Sequence, residues 1–250
     1  KEVITQNPNY SNKFAKLNKA ISSGWALWIN LDHDNFEWYL QVEPLDHLYE
    51  IKDLLIKNNL IFLSSLRRDY FFKKYLNKND IKLTSSVSFK SSFIEKSIII
   101  YIPSKLLLPN NPSFTESTIA NCKKISFLSK GLSIFLSNEN SLMIKLATEL
   151  ASIYGQRVLL EKLPNLDNQI VCSSFDWWIK NLHLTCLPDQ IIIPLLPFPN
   201  MIEPVNQQTI SFFRSQSIDW FRDFMFPESF QVLDKAVSPL RKNSGKLVIL

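Results

Sequence analysis

Glycine is scarce in this chain of 250 residues: only Gly24, Gly131, Gly155 and Gly245 occur. Phosphate-cradling loops of the GxxxxGKS and GxGxxG kinds need closely spaced glycines. Only backbone without a Cβ comes near enough for its N–H groups to reach the phosphates. Four scattered glycines spell neither loop, so the chain has no glycine-rich nucleotide cradle of its own. Cysteine is scarce as well. Cys122, Cys172 and Cys186 form an odd, widely spaced set, which excludes a disulfide framework and a zinc ribbon. They read as reduced, mostly buried thiols in a cytoplasmic protein. Long apolar runs are missing too. The longest, 98–102 and 190–196, are strand-length and fall far short of the roughly 18–20 residues that span a bilayer, so no membrane partner is expected. Metal ligands are sparse. His33 lies between Asp32 and Asp34 in a turn and reads as a solvated tip, and His183 with Cys186 lacks further ligands, so no metal site is expected.

What the chain does have is apolar mass. Hydrophobic residues make up 46% and charged residues 20%, enough for a sizeable core. The formal net charge of +5 permits a polyanionic partner without demonstrating one, because the excess forms no run. Near the N-terminus, 11–19 predicts a short helix. Residues 25–31 and the alternating, aromatic 36–42 predict two strands, joined by the charged turn 32–35. A helix is predicted over 44–58.

Beyond that the pattern changes. Short apolar runs at 60–63, 97–102, 132–136, 157–160, 170–172, 191–195 and 247–250 alternate with helical periods at 67–76, 114–129, 140–154, 207–224 and 228–240. Continuous apolar strands between amphipathic helices mark a parallel sheet covered on both faces. The fold class is therefore α/β, doubly wound and mainly parallel, with a small β-containing N-terminal segment. The division expected is 1–58 as an extension and 59–250 as the α/β domain. The chain reads as a fragment of a longer protein, because it stops where a strand would continue. Ligands of such sheets sit at the carboxyl ends of strands. That directs attention to Ser64 and Ser65, to Ser137 and Asn138, to 173–180, and to 197–204.

Those segments carry a resemblance. Leu196-Pro197-Phe198-Pro199, with Glu203-Pro204 downstream, matches a Leu-Pro-Phe-Pro turn followed by Asp-Pro or Glu-Pro. The run from Ile61 to Leu66 is similar to a strand ending in Thr-Ser-Ala-Thr-Leu, and Gly131 to Ser137 to a strand with Gly before it and Ser after it. Pro227-Glu228-Ser229, then Ser238 to Lys242, then Gly245 to Leu250, follow in order. Over roughly 36–250 this resembles the second RecA-like domain of the DinG/XPD-type superfamily 2 ATP-dependent DNA helicases.

The resemblance implies a RecA-like fold, ATP and Mg²⁺ as cofactors of the full-length protein, single-stranded DNA as partner, and the first RecA-like domain of the same polypeptide as neighbour. It implies a DNA-repair role in the cytoplasm. The gripping loop and the acidic Mg²⁺ motif lie in that first domain, so this chain alone is expected to hold no nucleotide tightly. Onto its positions the resemblance carries Ser64, Ser65, Arg67, Arg68, Ser137, Trp177 and Trp178 as nucleic-acid contacts and Asp176 as the motif V acid beside the nucleotide. For each an ordinary reading stands beside it: turn chemistry for the serines, a solvated helix start for the arginines, core packing for the tryptophans.

The departures point to lost chemistry. Motif VI of the family runs Gln-x-x-Gly-Arg-x-x-Arg, and its arginines stabilise charge on the γ-phosphate. Here the aligned positions are Lys235, Ser238, Pro239 and Lys242, with Arg241 one residue away. Arg241 and Lys242 are thus the remaining candidates for the catalytic cations, and ATP hydrolysis is expected to be impaired. The other class of function is a non-catalytic module that uses the helicase fold as a DNA or protein platform. The helicase reading expects Ser64, Ser137, Trp178 and Arg241 to share one rim.

Overall fold

The computed structural model describes residues 24–32, 37–45, 47–58, 61, 73, 76–77, 80–82, 85, 87, 98–127 and 130–250. Contacts divide the chain into two compact units. One comprises 1–88 with 199–227, the other 89–198 with 228–250. The first unit thus draws on 199–227, a stretch inside the region that the sequence assigns to the α/β domain.

In the first unit, β1 (Trp25–Asp32) and β2 (Glu37–Pro44) form an antiparallel hairpin in the register Trp25↔Pro44 to Asp32↔Glu37. The expected strands are present; the turn between them, with His33, lies outside the described residues, as does the expected helix at 11–19. Helix α1 (His47–Lys57) follows. The strand expected at 60–63 and nearly all of the helix expected at 67–76 also lie outside the described residues.

The second unit holds a six-stranded, wholly parallel sheet. Its strands are β3 (Ile99–Tyr101), β4 (Ser133–Leu136), β5 (Val158–Leu160), β6 (Ile170–Ser173), β7 (Gln190–Ile193) and β8 (Lys246–Ile249), in the order β3-β8-β7-β4-β6-β5. The helices are α2 (Phe114–Ser126), α3 (Asn140–Tyr154), α4 (Phe175–Asn181), α5 (Pro204–Ser215), α6 (Phe226–Val237) and α7 (Leu240–Asn243); α5 belongs to the first unit.

The four-residue central strands are apolar throughout because neighbours on both faces need them. Ile134 and Leu136 of β4 enter one core while Phe135 enters the other. Ile191 and Ile193 of β7 oppose Ile192 in the same way, and Val171 of β6 opposes Ile170 and Cys172. One core is completed by Phe175 and Trp178 from α4, Ala236 and Val237 from α6, and Leu240 from α7. The other is completed by Cys122 and Ile125 from α2 and by Met143, Leu146 and Leu150 from α3. Each fully buried aliphatic side chain contributes about 1.5–3 kcal/mol. The doubly wound α/β expectation therefore holds.

One helix differs from expectation. Instead of running through 207–224, α5 stops at Ser215. Ser217 adopts a left-handed backbone (φ 56), and the Asp219 carboxylate accepts the N–H groups of Phe221 and Arg222, which starts a new segment. That segment opens with a π-helical turn, Phe221–Met225, and leads into α6. The wider turn stands just before Pro227, whose nitrogen donates no hydrogen bond.

Candidate nucleic-acid interface

The sheet order creates a crevice. The chain leaves β4 into α3, which packs on one face; it leaves the adjacent β6 into α4, which packs on the other. Where neighbouring strands part to opposite faces, their carboxyl ends bound an open site. Ser137 and Asn138 stand at the end of β4, Ser173 and Ser174 at the end of β6, and Glu161 beyond β5. The sequence directs attention to the first four of these.

Most polar groups here serve the turn itself. Ser137 is 2% exposed; its Oγ accepts the Glu139 N–H (3.1 Å), and its own N–H donates to the Ser173 carbonyl (3.1 Å). Asn138 Oδ1 accepts the Phe175 N–H at 3.2 Å. Ser174 is the N-cap of α4 and accepts the Trp177 N–H at 3.3 Å. Ser174 donates both its N–H (3.1 Å) and its hydroxyl (2.6 Å) to the Glu161 carboxylate. Glu161 has a left-handed backbone (φ 46) and is held by its N–H to the Cys172 carbonyl. The Phe175 and Trp177 N–H groups of α4 are therefore satisfied from within, the buried Ser173 hydroxyl has no partner among the described residues, and the exposed carboxylates on this rim are Glu139, Glu161 and Asp176. Sequence reading passed over Glu161, because nothing in the residues after an apolar run announces a left-handed bend.

The expected contacts separate. Trp178 is 0% exposed and donates its indole N–H to the Ala236 carbonyl at 2.9 Å, so it is a core residue with no ring face open to a base. Trp177 is half-buried and packs against the same core, and Asp176 is exposed in the first turn of α4. Ser64, Ser65, Arg67 and Arg68 lie outside the described residues.

Arg241 and Lys242 are on α7, at the other end of the sheet. The α7 segment leads through Gly245 into the first residue of β8, and the Asn243 side-chain amide donates to the Pro188 carbonyl, just ahead of β7 (2.8 Å). Amino and carboxyl ends of these four-residue strands are about 10 Å apart. The expected single rim is thus corrected: Ser137 and α4 share the carboxyl end, while Arg241 and Lys242 stand at the amino end. The Arg241 guanidinium is moreover ion-paired with Asp234 of α6, both partly buried, whereas Lys242 is exposed. The guanidinium is thus engaged within the chain by the Asp234 carboxylate. Free cations do gather at this end. Lys130 and Lys246 line a cavity of about 250 Å³ together with Asp189, Gln190, Asn243, Ser244 and Gly245.

No protein-family model and no curated protein matches the sequence. Solved structures do match. One described as an XPD helicase superposes with a TM-score of 0.59 at 11% identity, over 96% of this chain and 46% of its own. The chain shares the XPD helicase fold. Xpd4 of S. tokodaii superposes less closely, with a TM-score of 0.46 at 13% identity, over 96% of this chain and 60% of that one. The chain thus spans about half the length of the XPD helicase structure it matches. Among the described residues, no helix is long and apolar enough to cross a membrane.

Proposed function

We propose that this chain is the second RecA-like domain of a DinG/XPD-type protein that binds single-stranded DNA against a first RecA-like domain and supplies no arginine finger for ATP hydrolysis. The observation that carries the reading is the Arg241–Asp234 ion pair at the amino end of the sheet, away from Asp176. The shared fold supports the helicase origin. In an intact helicase, ATP with Mg²⁺ supplies the free energy for translocation; here no residue of this chain is assigned a step in that chemistry.

The test is an ATPase assay on the full-length protein with single-stranded DNA present. Arg241→Ala and Lys242→Ala are each expected to leave the rate per folded molecule within about twofold. An arginine finger is worth roughly 10³–10⁵ in rate, so a fall of that size in either variant overturns the reading. DNA contact is tested separately by salt dependence. Arg67→Ala with Arg68→Ala is expected to flatten the slope of log affinity against log salt by about 1.4, or about 0.7 for each lost phosphate contact on a single strand. An unchanged slope removes both arginines from the interface.

A second reading, a protein-binding platform on the same fold, is favoured by one observation. The carboxyl rim presents Glu139, Glu161 and Asp176 to solvent, and carboxylates repel a phosphate backbone. Loss of all DNA affinity in the full-length protein at low salt decides for it.

A further inference from the structure

The β1–β2 hairpin has two unlike faces. Side chains directly opposite in an antiparallel pair share a face, and alternate residues share it along each strand. The observed register therefore sets Leu27, Ile29 and Leu31 of β1 with Trp38, Leu40 and Val42 of β2, an unbroken apolar face. Toward the tip this face is uncovered: Ile29 is 61% exposed, Leu31 60%, Trp38 69% and Leu40 40%. The other face carries buried Ala26 and half-buried Trp28 at its base and is polar only toward the tip. Asn30 donates its amide to the Tyr39 hydroxyl (3.2 Å) and to Gln41 (3.4 Å), and Glu37 and Glu43 belong to the same side.

One edge of the hairpin is also open. The Leu27 N–H donates to the Gln208 side-chain oxygen (3.0 Å), and the Gln208 amide donates to the Leu27 carbonyl (2.9 Å). A glutamine of α5 thus stands in for a neighbouring strand at that one residue. It also shows which way the backbone points: the N–H and C=O of Leu27 face away from β2. In an antiparallel ladder the residues two and four further on face the same way. The backbone groups of Ile29 and Leu31 therefore point outward past the end of the glutamine's reach. Among the described residues none bonds to them. An apolar edge strand with unpaired backbone groups is a template for another strand.

Charge selects what can pair there. Residues 25–44 contain Asp32, Asp34, Glu37 and Glu43 and no Lys or Arg, in a chain whose net charge is +5. A nucleic acid is repelled by such a segment, despite the exposed Trp38. A strand laid beside β1 turns alternate side chains toward the apolar face and toward the polar, acidic one. We propose that the open edge of β1 and the adjoining apolar face dock an extended protein segment in which apolar residues alternate with Lys or Arg. Its apolar residues cover Ile29, Leu31 and Trp38; its cations meet the side that carries Glu37. This docking is independent of whether the chain binds DNA or takes part in ATP hydrolysis.

The test uses the full chain and a fluorescently labelled synthetic peptide of about nine residues that alternates valine with lysine, the length of a typical strand and its flanks. It is expected to bind at least about tenfold more tightly than a peptide of the same composition with valines and lysines in two blocks, a difference of about 1.4 kcal/mol. A version with Glu for Lys is expected not to bind. Ile29→Pro removes one outward N–H without touching the β1–β2 ladder and is expected to weaken binding by about tenfold or more, since proline is tolerated at such an edge. Trp38→Ala, on the face and not the edge, is expected to do the same, and serves if the proline variant fails to fold. Equal binding of alternating and blocked peptides overturns the proposal. So does wild-type affinity in the folded variants. Displacement of the peptide by a single-stranded oligonucleotide would make the face a nucleic-acid site. Dimerisation of the chain abolished by Ile29→Pro would make the occupant a second copy.

Discussion

Trp178→Ala is expected to destabilise the parallel-sheet unit by about 3–5 kcal/mol. The indole is fully buried in the core formed by Phe175, Ile191, Val237 and Leu240, and the collapse of so large a void is incomplete. Domain stabilities are about 5–15 kcal/mol, so the variant stands near the threshold of folding. Two parts of the effect are separable. Trp178→Phe retains an aromatic ring but leaves the Ala236 carbonyl without its donor (2.9 Å in the parent), at a cost of about 1–3 kcal/mol. Trp177→Ala, at a half-buried position, is expected to cost markedly less than Trp178→Ala. Urea denaturation followed by far-UV circular dichroism measures all three. A loss below about 1 kcal/mol in Trp178→Ala would mean that the ring is not part of the core at all.

The thiols provide the second large effect. Burial pushes the Cys172 thiol up to about 12. Burial, reinforced by the neighbouring Cys172, pushes Cys122 far above the ordinary thiol range. Both are buried, and Cys186 is exposed. The thiolate is the nucleophile. At pH 8 a group that titrates near 12 is ionised only about 10⁻⁴ of the time, against roughly a quarter for a free thiol. The native protein is therefore expected to consume one equivalent of a disulfide reagent quickly, from Cys186, and the other two only after denaturant is added. Rapid native reaction of three equivalents contradicts the fold.

The same shifts act on stability in alkali. Unfolded thiols release their protons near pH 8.5, while the folded ones hold theirs to about 12 in the case of Cys172. Between those values the unfolded state binds fewer protons, so stability falls as pH rises. The slope is about 1.4 kcal/mol per pH unit for each thiol. Below about pH 8.5 the contribution is fully present. Comparing urea midpoints at rising pH in the wild type and in Cys122→Ala with Cys172→Ala isolates the two thiols from the lysines and tyrosines. The double variant is expected to show the flatter decline.

Much of the fold was legible before the structure. The runs at 132–136, 170–172 and 191–195 are apolar without alternation, and that pattern suits only a strand covered on both faces. Ile191, Ile192 and Ile193 show why: one packs toward α2 and α3, its two neighbours toward α4 and α6. The hairpin was legible from the alternation of 36–42. The break between α5 and α6 was not. It depends on the left-handed Ser217 and the Asp219 cap, and a serine in that conformation has no composition signal.

The site was less legible than the fold. Ser137 and the start of α4 do lie together at the carboxyl ends of β4 and β6, as the strand-end rule requires. Several of their polar groups, however, are taken up by Glu139, Asn138, Ser174 and Glu161. Which of two adjacent tryptophans is inside could not be read from the letters Trp177-Trp178; the direction of a helix face relative to the sheet decides it.

By itself the sequence determined the class of architecture and several of its exclusions. Apolar periodicity encodes how many faces of a segment are buried, and four dispersed glycines rule out a phosphate cradle whatever the fold. Only the tertiary structure decided where the candidate groups went. Arg241 and Asp176 are separated by 65 positions in the chain, and only the packing of α4, α6 and α7 sets them at opposite ends of the sheet, with Asp234 as the arginine's partner. Charge acts through distance in space, and distance in space is a property of the packed chain.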